Sequence, residues 1–368
     1  MHIACTNCRQ PYPLRGAPYR CVNCGGIFDY SSPFSYDPTA IEPNLPGIWR
    51  YRHAFGFPPE VEPLSLSEGN TPIVWAPAFG RQVAFKCEFL NPSGSFKDRG
   101  SATLASFLRS RGVTEALEDS SGNAGASFAA YSARAGIKTQ VFVPESASGP
   151  KREQIEMYGA EVINVPGQRS NAAEALREVL ADRGDQAVYA SHAYLPFNLP
   201  GYATLAYELW MDLGSAPGSV VLPVGQGGLL LGVWRGFKAM KEAGLIAHLP
   251  RMIGVQARAC APLWALVHYG PSGLAWVAEA PTLAEGIRVR LPVRGDAALQ
   301  AVAESGGSFL AVDEEEIMPA RDALACLGMY VEPTSAVVWG ALAQVSQELP
   351  DPIVAVLTGS GFKYSDRV

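Results

Sequence analysis

The chain has 368 residues, 48% hydrophobic and 17% charged, which suits about two well-packed domains and excludes a disordered protein. Its net charge of −6 comes without any basic block, which argues against a nucleic-acid surface. Met1-His2-Ile3-Ala4-Cys5 is not a charged-then-apolar leader, and the longest uncharged run, between Asp212 and Arg235, holds two prolines and six glycines, so it reads as strand, loop and helix start; a cytoplasmic protein with no membrane partner is expected.

Four of the seven cysteines open the chain, as Cys5-Thr6-Asn7-Cys8 and Cys21-Val22-Asn23-Cys24, with twelve residues between the pairs. Two such knuckles suit four thiolates placed tetrahedrally around a structural zinc, with Gly25 and Gly26 supplying the tight turn after the second pair. Two disulfides or a redox CxxC are the competing readings, and neither suits a cytosolic chain with no strand-helix context here. Cys87, Cys260 and Cys326 stand alone in apolar surroundings and are expected to be buried thiols.

From Asp29 to Pro72 the chain is rich in Pro, Tyr, Phe and Trp with little periodicity, an irregular segment over a core. Val83–Phe89 reads as a strand. It leads into Asn91-Pro92-Ser93-Gly94-Ser95-Phe96-Lys97-Asp98-Arg99-Gly100, a turn that runs into a helix reaching Arg111 with Ser95 as its cap. Lys97 then sits at a helix start, where the dipole disfavours its protonation and readies an amine for Schiff-base chemistry.

Strands and helices alternate from there. Thr114–Asp119 feeds Ser120-Ser121-Gly122-Asn123-Ala124-Gly125 and a helix over 126–134. Strands are expected over 139–143, 161–165 and 187–190, with helices over 151–158 and 171–183 between them. A helix over 201–213, a strand over 219–224 ending in Gly225-Gln226-Gly227-Gly228, a helix over 229–242 and a strand over 252–256 follow. Asp313 caps a helix over 314–327 interrupted at Pro319, another helix spans 335–348, and the apolar strand 353–357 ends in Thr358-Gly359-Ser360-Gly361. Strands joined through helices of this length imply parallel sheets with right-handed crossovers.

Three strand-to-loop junctions offer chemistry. Gly225-Gln226-Gly227-Gly228 lacks the third glycine of a dinucleotide fingerprint and the Lys-Ser/Thr of a nucleotide P-loop, so its amides suit the phosphate of another cofactor, or its glycines permit close packing. Ser120–Gly125 can hold a carboxylate or phenolate oxygen, or simply cap a helix. Thr358–Gly361 offers neutral hydroxyls.

Taken in order, these motifs resemble the fold type II pyridoxal-phosphate enzymes, and among them the threonine synthase-like branch. The resemblance runs over about residues 60–365 through Glu68-Gly69-Asn70-Thr71-Pro72, Asn91–Gly100, Ser121-Gly122-Asn123, Pro223–Leu229 and Thr358–Gly361. It implies two three-layer α/β domains with mostly parallel sheets: 31–90 with 200–368 as the large cofactor domain and 91–199 as the small one, after a zinc ribbon over 1–30. It implies that Lys97 carries pyridoxal 5'-phosphate as a Schiff base and moves the α-proton. Asn123 would bond the ring oxygen, the amides of Gly225, Gln226, Gly227, Gly228 and Leu229 the phosphate, and Thr358 the ring nitrogen. Ser120, Ser121, the Ala124 amide and Ser191 would serve the substrate. Homodimers are common in the family.

The chain departs from threonine synthases where those enzymes hold the phosphate of O-phosphohomoserine. Ala124 stands where a threonine follows the loop asparagine, Asn198 falls at the position of an arginine, and Leu229 at that of an asparagine. Lys151, Arg152 or Arg288 would have to bring charge from elsewhere. His192 is either an acid–base or a histidine packed at a strand end near Tyr194, and Arg288 pairs either a substrate acid or Glu285. The expected activity is elimination or replacement of a β- or γ-leaving group on a small amino acid, a carbon–oxygen lyase reaction. A threonine or serine ammonia-lyase is the alternative, and a non-catalytic zinc-ribbon interaction protein the remote one.

Overall fold

Ser219–Pro223 is buried along its whole length, as befits a central strand covered on both faces. In the computed structural model, which describes residues 2–365 except 146, 148 and 168, it belongs to the larger of two mainly parallel sheets. The chain opens with β1 (Ile3–Cys5) and β2 (Phe28–Tyr30), then β3 (Ile73–Ala78), β4 (Arg81–Lys86) and α1 (Lys97–Ser110). Next come β5 (Glu115–Glu118), α2 (Asn123–Ala135), β6 (Lys138–Pro144), α3 (Pro150–Met157), β7 (Glu161–Val165), α4 (Arg169–Arg183) and β8 (Val188–Tyr189). The remainder is α5 (Leu199–Leu213), β9 (Ser219–Pro223), α6 (Gly228–Glu242), β10 (Arg251–Ala257), α7 (Pro262–Tyr269), α8 (Gly295–Glu304), β11 (Ser308–Val312), α9 (Glu314–Cys326), α10 (Pro333–Val345) and β12 (Ile353–Val356).

These elements form two units. The first takes the chain up to Gly69 together with Lys97–Gly201. Its four-stranded sheet has the order β7-β6-β5-β8, parallel throughout. The chain steps outward from β5 to β7 and then returns to add β8 on the other side of β5. The C-terminal ends of β5 and β8 therefore flank a topological switch point, where open α/β sheets bind ligands. The β1–β2 hairpin belongs to this unit, and its Tyr12 lies edge-on to Phe28, Phe107 and Phe197. One apolar cluster joins Ile3, Cys21 and Phe28 to Leu104, Phe107 and Leu108 of α1. The Arg111 guanidinium fastens the same contact by donating to the carbonyls of Pro13 and Leu14.

The second unit takes Asn70–Phe96 and Tyr202–Tyr364. Its six-stranded sheet has the order β11-β10-β9-β12-β4-β3, parallel except for the β3–β4 hairpin. Its core runs from Val83 and Phe85 through Val221, Ile253 and Val255 to Val354's neighbours Ile353 and Ala355. The helix α10 seals one face; Pro333 starts it with the φ that a first turn needs, and nearly every residue to Leu342 is buried. Here the steps β9, β10, β11 run one way while β12 pairs on the other side of β9, so β9 and β12 form a second switch point.

The alternating segments of the sequence are found within a few residues of their expected bounds. The differences have physical reasons. The expected strand over 83–89 is displaced to β4, because Glu88–Leu90 turns as a short 3-10 helix. β3 was not expected; it is an edge strand that holds Pro77 and exposes Trp75, which hides its alternation. α9 continues through Pro319, held at its start by reciprocal bonds between Asp313 and Glu316. Cys87 and Cys260 are buried as expected, but Cys326 is exposed: it lies off the inward stripe of Ile317, Ala320 and Leu324.

Candidate active site

In the second unit two loops grow from the strand ends. β9 delivers Gly225–Gly227 and then α6, and Gly227 takes φ +88°, a left-handed conformation that glycine adopts without strain. No side chain caps α6, so the amides of its first turn are available for an anion at the positive end of the helix. On the adjacent strand, β12 leads to Thr358, which is buried, and its hydroxyl lies 2.9 Å from Ser335 Oγ. Ser335 Oγ also accepts the Gly359 amide at 2.7 Å, so neutral hydroxyls and backbone help to hold the terminal loop.

The lysine stretch meets this loop. Phe96 N–H donates to Thr358 O at 3.0 Å, Ser360 N–H donates to Gly94 O at 3.0 Å, and Ser95 bridges Gly359. Lys363 Nζ donates to Ser93 O at 2.7 Å. Ser95 does not play the expected capping role. Its backbone is taken into the bridge, and its hydroxyl is buried with no hydrogen-bond partner among the described residues. That is an orphaned polar atom two residues from Lys97.

Lys97 itself is the first residue of α1, half-buried, in the first unit. Next to it, the buried Asp98 accepts from Ser127 Oγ at 2.6 Å, and Ser127 lies 2.7 Å from Ser101 Oγ. These bonds bolt the lysine helix to α2, whose first residue is Asn123. A second tie comes from Glu68, fully buried, which accepts from Tyr131 of α2 at 2.7 Å and from the Leu66 amide at 2.9 Å. Burial pushes the Glu68 carboxyl up to about 7 against the pull of those donors.

Around the switch point of this unit, the Gly122 amide donates to Ser120 Oγ at 3.3 Å, while α2 starts after Gly122 without a side-chain cap. Ser120 and Ala124 are buried and Ser121 is half-buried. Ser191 is buried and accepts the Ala193 amide at 3.3 Å. His192 Nδ1 lies 3.1 Å from Glu118 Oε1, the last residue of β5. The Asn198 side-chain amide donates to the His192 carbonyl, so at the position of the family's arginine it holds backbone. Arg288 reaches the Glu279 carbonyl at 2.7 Å, and Arg152 pairs Glu156 at 3.2 Å.

Sequence reasoning missed Ser335, Glu118 as a partner of His192, and the Asp98–Ser127 and Glu68–Tyr131 ties. Each joins residues 23 to 74 positions apart, and no local pattern announces such pairs.

The four N-terminal cysteines converge. Their Sγ atoms all lie within 4.8 Å of one another, with Cys5 and Cys24 at 3.4 Å and Cys8 and Cys21 at 3.6 Å. A tetrahedron with metal–sulfur bonds of about 2.3 Å has sulfur–sulfur edges of about 3.8 Å. The Gln10 amide and then the Asn23 side chain, aimed at Cys8 Sγ, pull that thiol down to about 6. A Cβ on Gly26 would stand 2.8 Å from Cys5 Sγ, so the knuckle requires glycine there.

Comparison with known proteins identifies the family. Residues 64–359 match the family model described as pyridoxal-phosphate dependent enzyme. The chain is 33% identical to the threonine synthase of Methanosarcina acetivorans, over 91% of its own length and 84% of that protein's. It is 33% identical to that of Methanocaldococcus jannaschii, over 98% and 93%, and 35% identical to that of Mycobacterium bovis, over 89% and 92%. Among solved structures, a threonine deaminase from T.th. superimposes with a TM-score of 0.67 at 27% identity, covering 80% of this chain and 94% of that one.

Proposed function

The chain belongs to the pyridoxal-phosphate-dependent enzymes and is a threonine synthase-like carbon–oxygen lyase; on that premise we propose that Lys97 holds the cofactor through Nζ and moves the substrate's α-proton. The residues present fit the cofactor. The uncapped start of α6 after Gly227 suits its phosphate, through the amides of Gly225, Gln226, Gly227, Gly228 and Leu229. Thr358, bonded to Ser335, suits its ring nitrogen, and Asn123 its ring oxygen. The orphaned Ser95 hydroxyl beside Thr358's loop marks a place where a polar group is wanted. Bound there, pyridoxal phosphate supplies an electron sink for the pair left when the α-C–H bond breaks.

The chain's own residues do the rest. Lys97 Nζ takes the α-proton at the head of α1, whose place is set by Asp98 and Ser127. Ser120, Ser121 and the Ala124 amide orient the substrate carboxylate at the start of α2, with Ser191 alongside. A neutral hydroxyl at Thr358, rather than a carboxylate, leaves the ring nitrogen without a fixed negative partner, which suits elimination and replacement better than transamination. The observation that carries this reading is the bond from Phe96 N–H to Thr358 O, which ties the lysine stretch to the loop beside the glycine cradle. Lys97→Ala tests it: the visible absorbance of cofactor joined to the protein as a Schiff base disappears and turnover falls by about 10⁴-fold. Persistence of that absorbance removes Lys97 from the role.

The substrate is a small amino acid with a leaving oxygen at the β- or γ-carbon. The ammonia-lyase reading is favoured by Asn198, whose amide is committed to the His192 carbonyl where an arginine would bind phosphate. Phosphate and 2-oxo acid release from phosphohomoserine, phosphoserine, threonine and serine separates the two readings.

The N-terminal cysteines, we further propose, hold one structural zinc. Their sulfur spacing supports it, and so does the packing of their hairpin on α1. Purified protein is expected to carry one zinc per chain by mass spectrometry of metals. Chelation should lower the thermal midpoint, and a metal content of zero with unchanged stability refutes the site.

A further inference from the structure

Resting on that reading, we propose that His192, oriented by Glu118, gives a proton to the substrate's leaving oxygen, and that the substrate is a hydroxy amino acid. The placement comes from topology. Glu118 is the last residue of β5 and His192 follows β8, so the pair stands at the switch point of the first unit's sheet. The loop Ser120–Asn123, which receives the substrate carboxylate in the reading above, begins two residues after Glu118.

The pair has the build of an acid–base dyad. Glu118 is 1% exposed and His192 17% exposed, with Nδ1 and Oε1 at 3.1 Å. A buried carboxylate at Nδ1 accepts the hydrogen bond from Nδ1–H, fixes the ring's orientation and favours the imidazolium. The exchangeable proton is then the one on Nε2. The backbone under the ring is held as well, since Asn198 donates to the His192 carbonyl and Leu195 N–H to the Ser191 carbonyl. Burial, and then Asp119 and Glu118, hold the Tyr189 phenol well above its usual range, and on the other side of this cluster Arg20 donates to Tyr194 Oη at 3.0 Å.

The step balances. As the C–O bond breaks, its electron pair leaves with oxygen. The Nε2–H bond breaks, and the proton joins that oxygen, so a hydroxyl departs as water. The imidazole is left neutral, still donating Nδ1–H to Glu118, and takes a proton back from solvent. Hydroxide is a poor leaving group and needs this proton. Phosphate departs as a stable anion and does not. A pair that only pinned two strand ends would make no such distinction.

The test uses holoenzyme and two substrates with one carbon skeleton, serine and O-phosphoserine. Release of 2-oxo acid is measured together with exchange of the α-proton in heavy water. His192→Asn is expected to slow serine turnover by about a hundredfold or more, while O-phosphoserine turnover and α-proton exchange change by no more than about threefold. Glu118→Gln, which keeps the shape, is expected to slow serine turnover less and to move the alkaline limb of its pH profile to lower pH, because the imidazolium loses its carboxylate. Equal losses on both substrates, or none on either, overturn the proposal, as does wild-type turnover of O-phosphoserine alone. Absence of α-proton exchange in the wild type with either substrate overturns the lyase reading at Lys97, and this inference with it.

Discussion

Each unit has one parallel sheet with one switch point, and the two are furnished differently. At β9 and β12 the loops present glycine amides, Thr358, Ser335 and the Ser95 hydroxyl. None of these groups titrates near neutral pH. At β5 and β8 the loops present serines beside Glu118 and His192, and the buried acids Asp98 of α1 and Glu68 of the segment before β3 bond to α2. The first arrangement suits a resident group whose charge does not change, since fixed dipoles need no reorganisation around it. The second suits chemistry in which protons move. Two sheets that each reverse their strand order once are thus specialised by the charge of their loops, and the contrast predicts that pH sensitivity at the switch points belongs to the first unit.

The largest effect on that contrast is expected at Glu68. Its carboxyl is pushed up to about 7 in the folded protein from an ordinary value of 4.5, mainly by burial. The folded state therefore binds its proton more tightly than the unfolded state. The stability this contributes is fully present below pH 4.5 and is lost as the pH rises through 7. The loss amounts to about 3 kcal/mol across that window. Glu68→Gln keeps an acceptor for Tyr131 and removes the titration. Urea unfolding at pH 4.5 and at pH 8 should show the variant gaining about 3 kcal/mol on the wild type between the two. Parallel pH curves for the two proteins would break the contrast.

How much of this was legible depends on how far apart the partners lie. The loops Ser120–Gly125, Gly225–Gly228 and Thr358–Gly361 were legible because strand, glycine and helix succeed one another within a few residues. The lysine helix was legible for the same reason, although Ser95 serves a bridge and not a cap. The zinc-type spacing of the cysteines is met by sulfurs that do converge. The segment of α7, α8 and β11 was not read at all. α7 carries Leu263, Trp264, Leu266 and Val267 with no polar face to give it a period, and α8 begins at Gly295 with no side-chain cap. The charged pairs were beyond reach in principle: Glu118 ends β5 and His192 follows β8, strands that become neighbours only when the chain returns to pair beside β5.

A middle-sized effect sharpens the neutral side of the contrast. Ser335 Oγ accepts the Gly359 amide and lies against Thr358 Oγ1. Ser335→Ala leaves both without that partner inside the protein, at a cost of about 2 kcal/mol. Because neither group titrates, the cost is expected to be the same at pH 5 and pH 8 by chemical denaturation, unlike the Glu68 effect. A cost that varies with pH would place an ionisable group at this switch point.

The smallest effect is expected at Gly227, and it separates fold from cofactor. At φ +88° an alanine is strained, and its Cβ would stand 3.1 Å from Arg294 O and 3.2 Å from Ala298 Cβ. The strain is worth about 1 kcal/mol, small against the stability of a domain. A phosphate bound at this helix start would be more sensitive than the fold, because a shift of a few tenths of an ångström moves every first-turn amide of α6 relative to it. Gly227→Ala should therefore unfold within about 1 kcal/mol of the wild type as apo-protein. Titration with pyridoxal phosphate should nevertheless show weakened binding, with the salt dependence expected of an anion contact. If stability falls but cofactor affinity does not, the glycines of this loop serve close packing against α8, and the anion cradle must be sought in other amides.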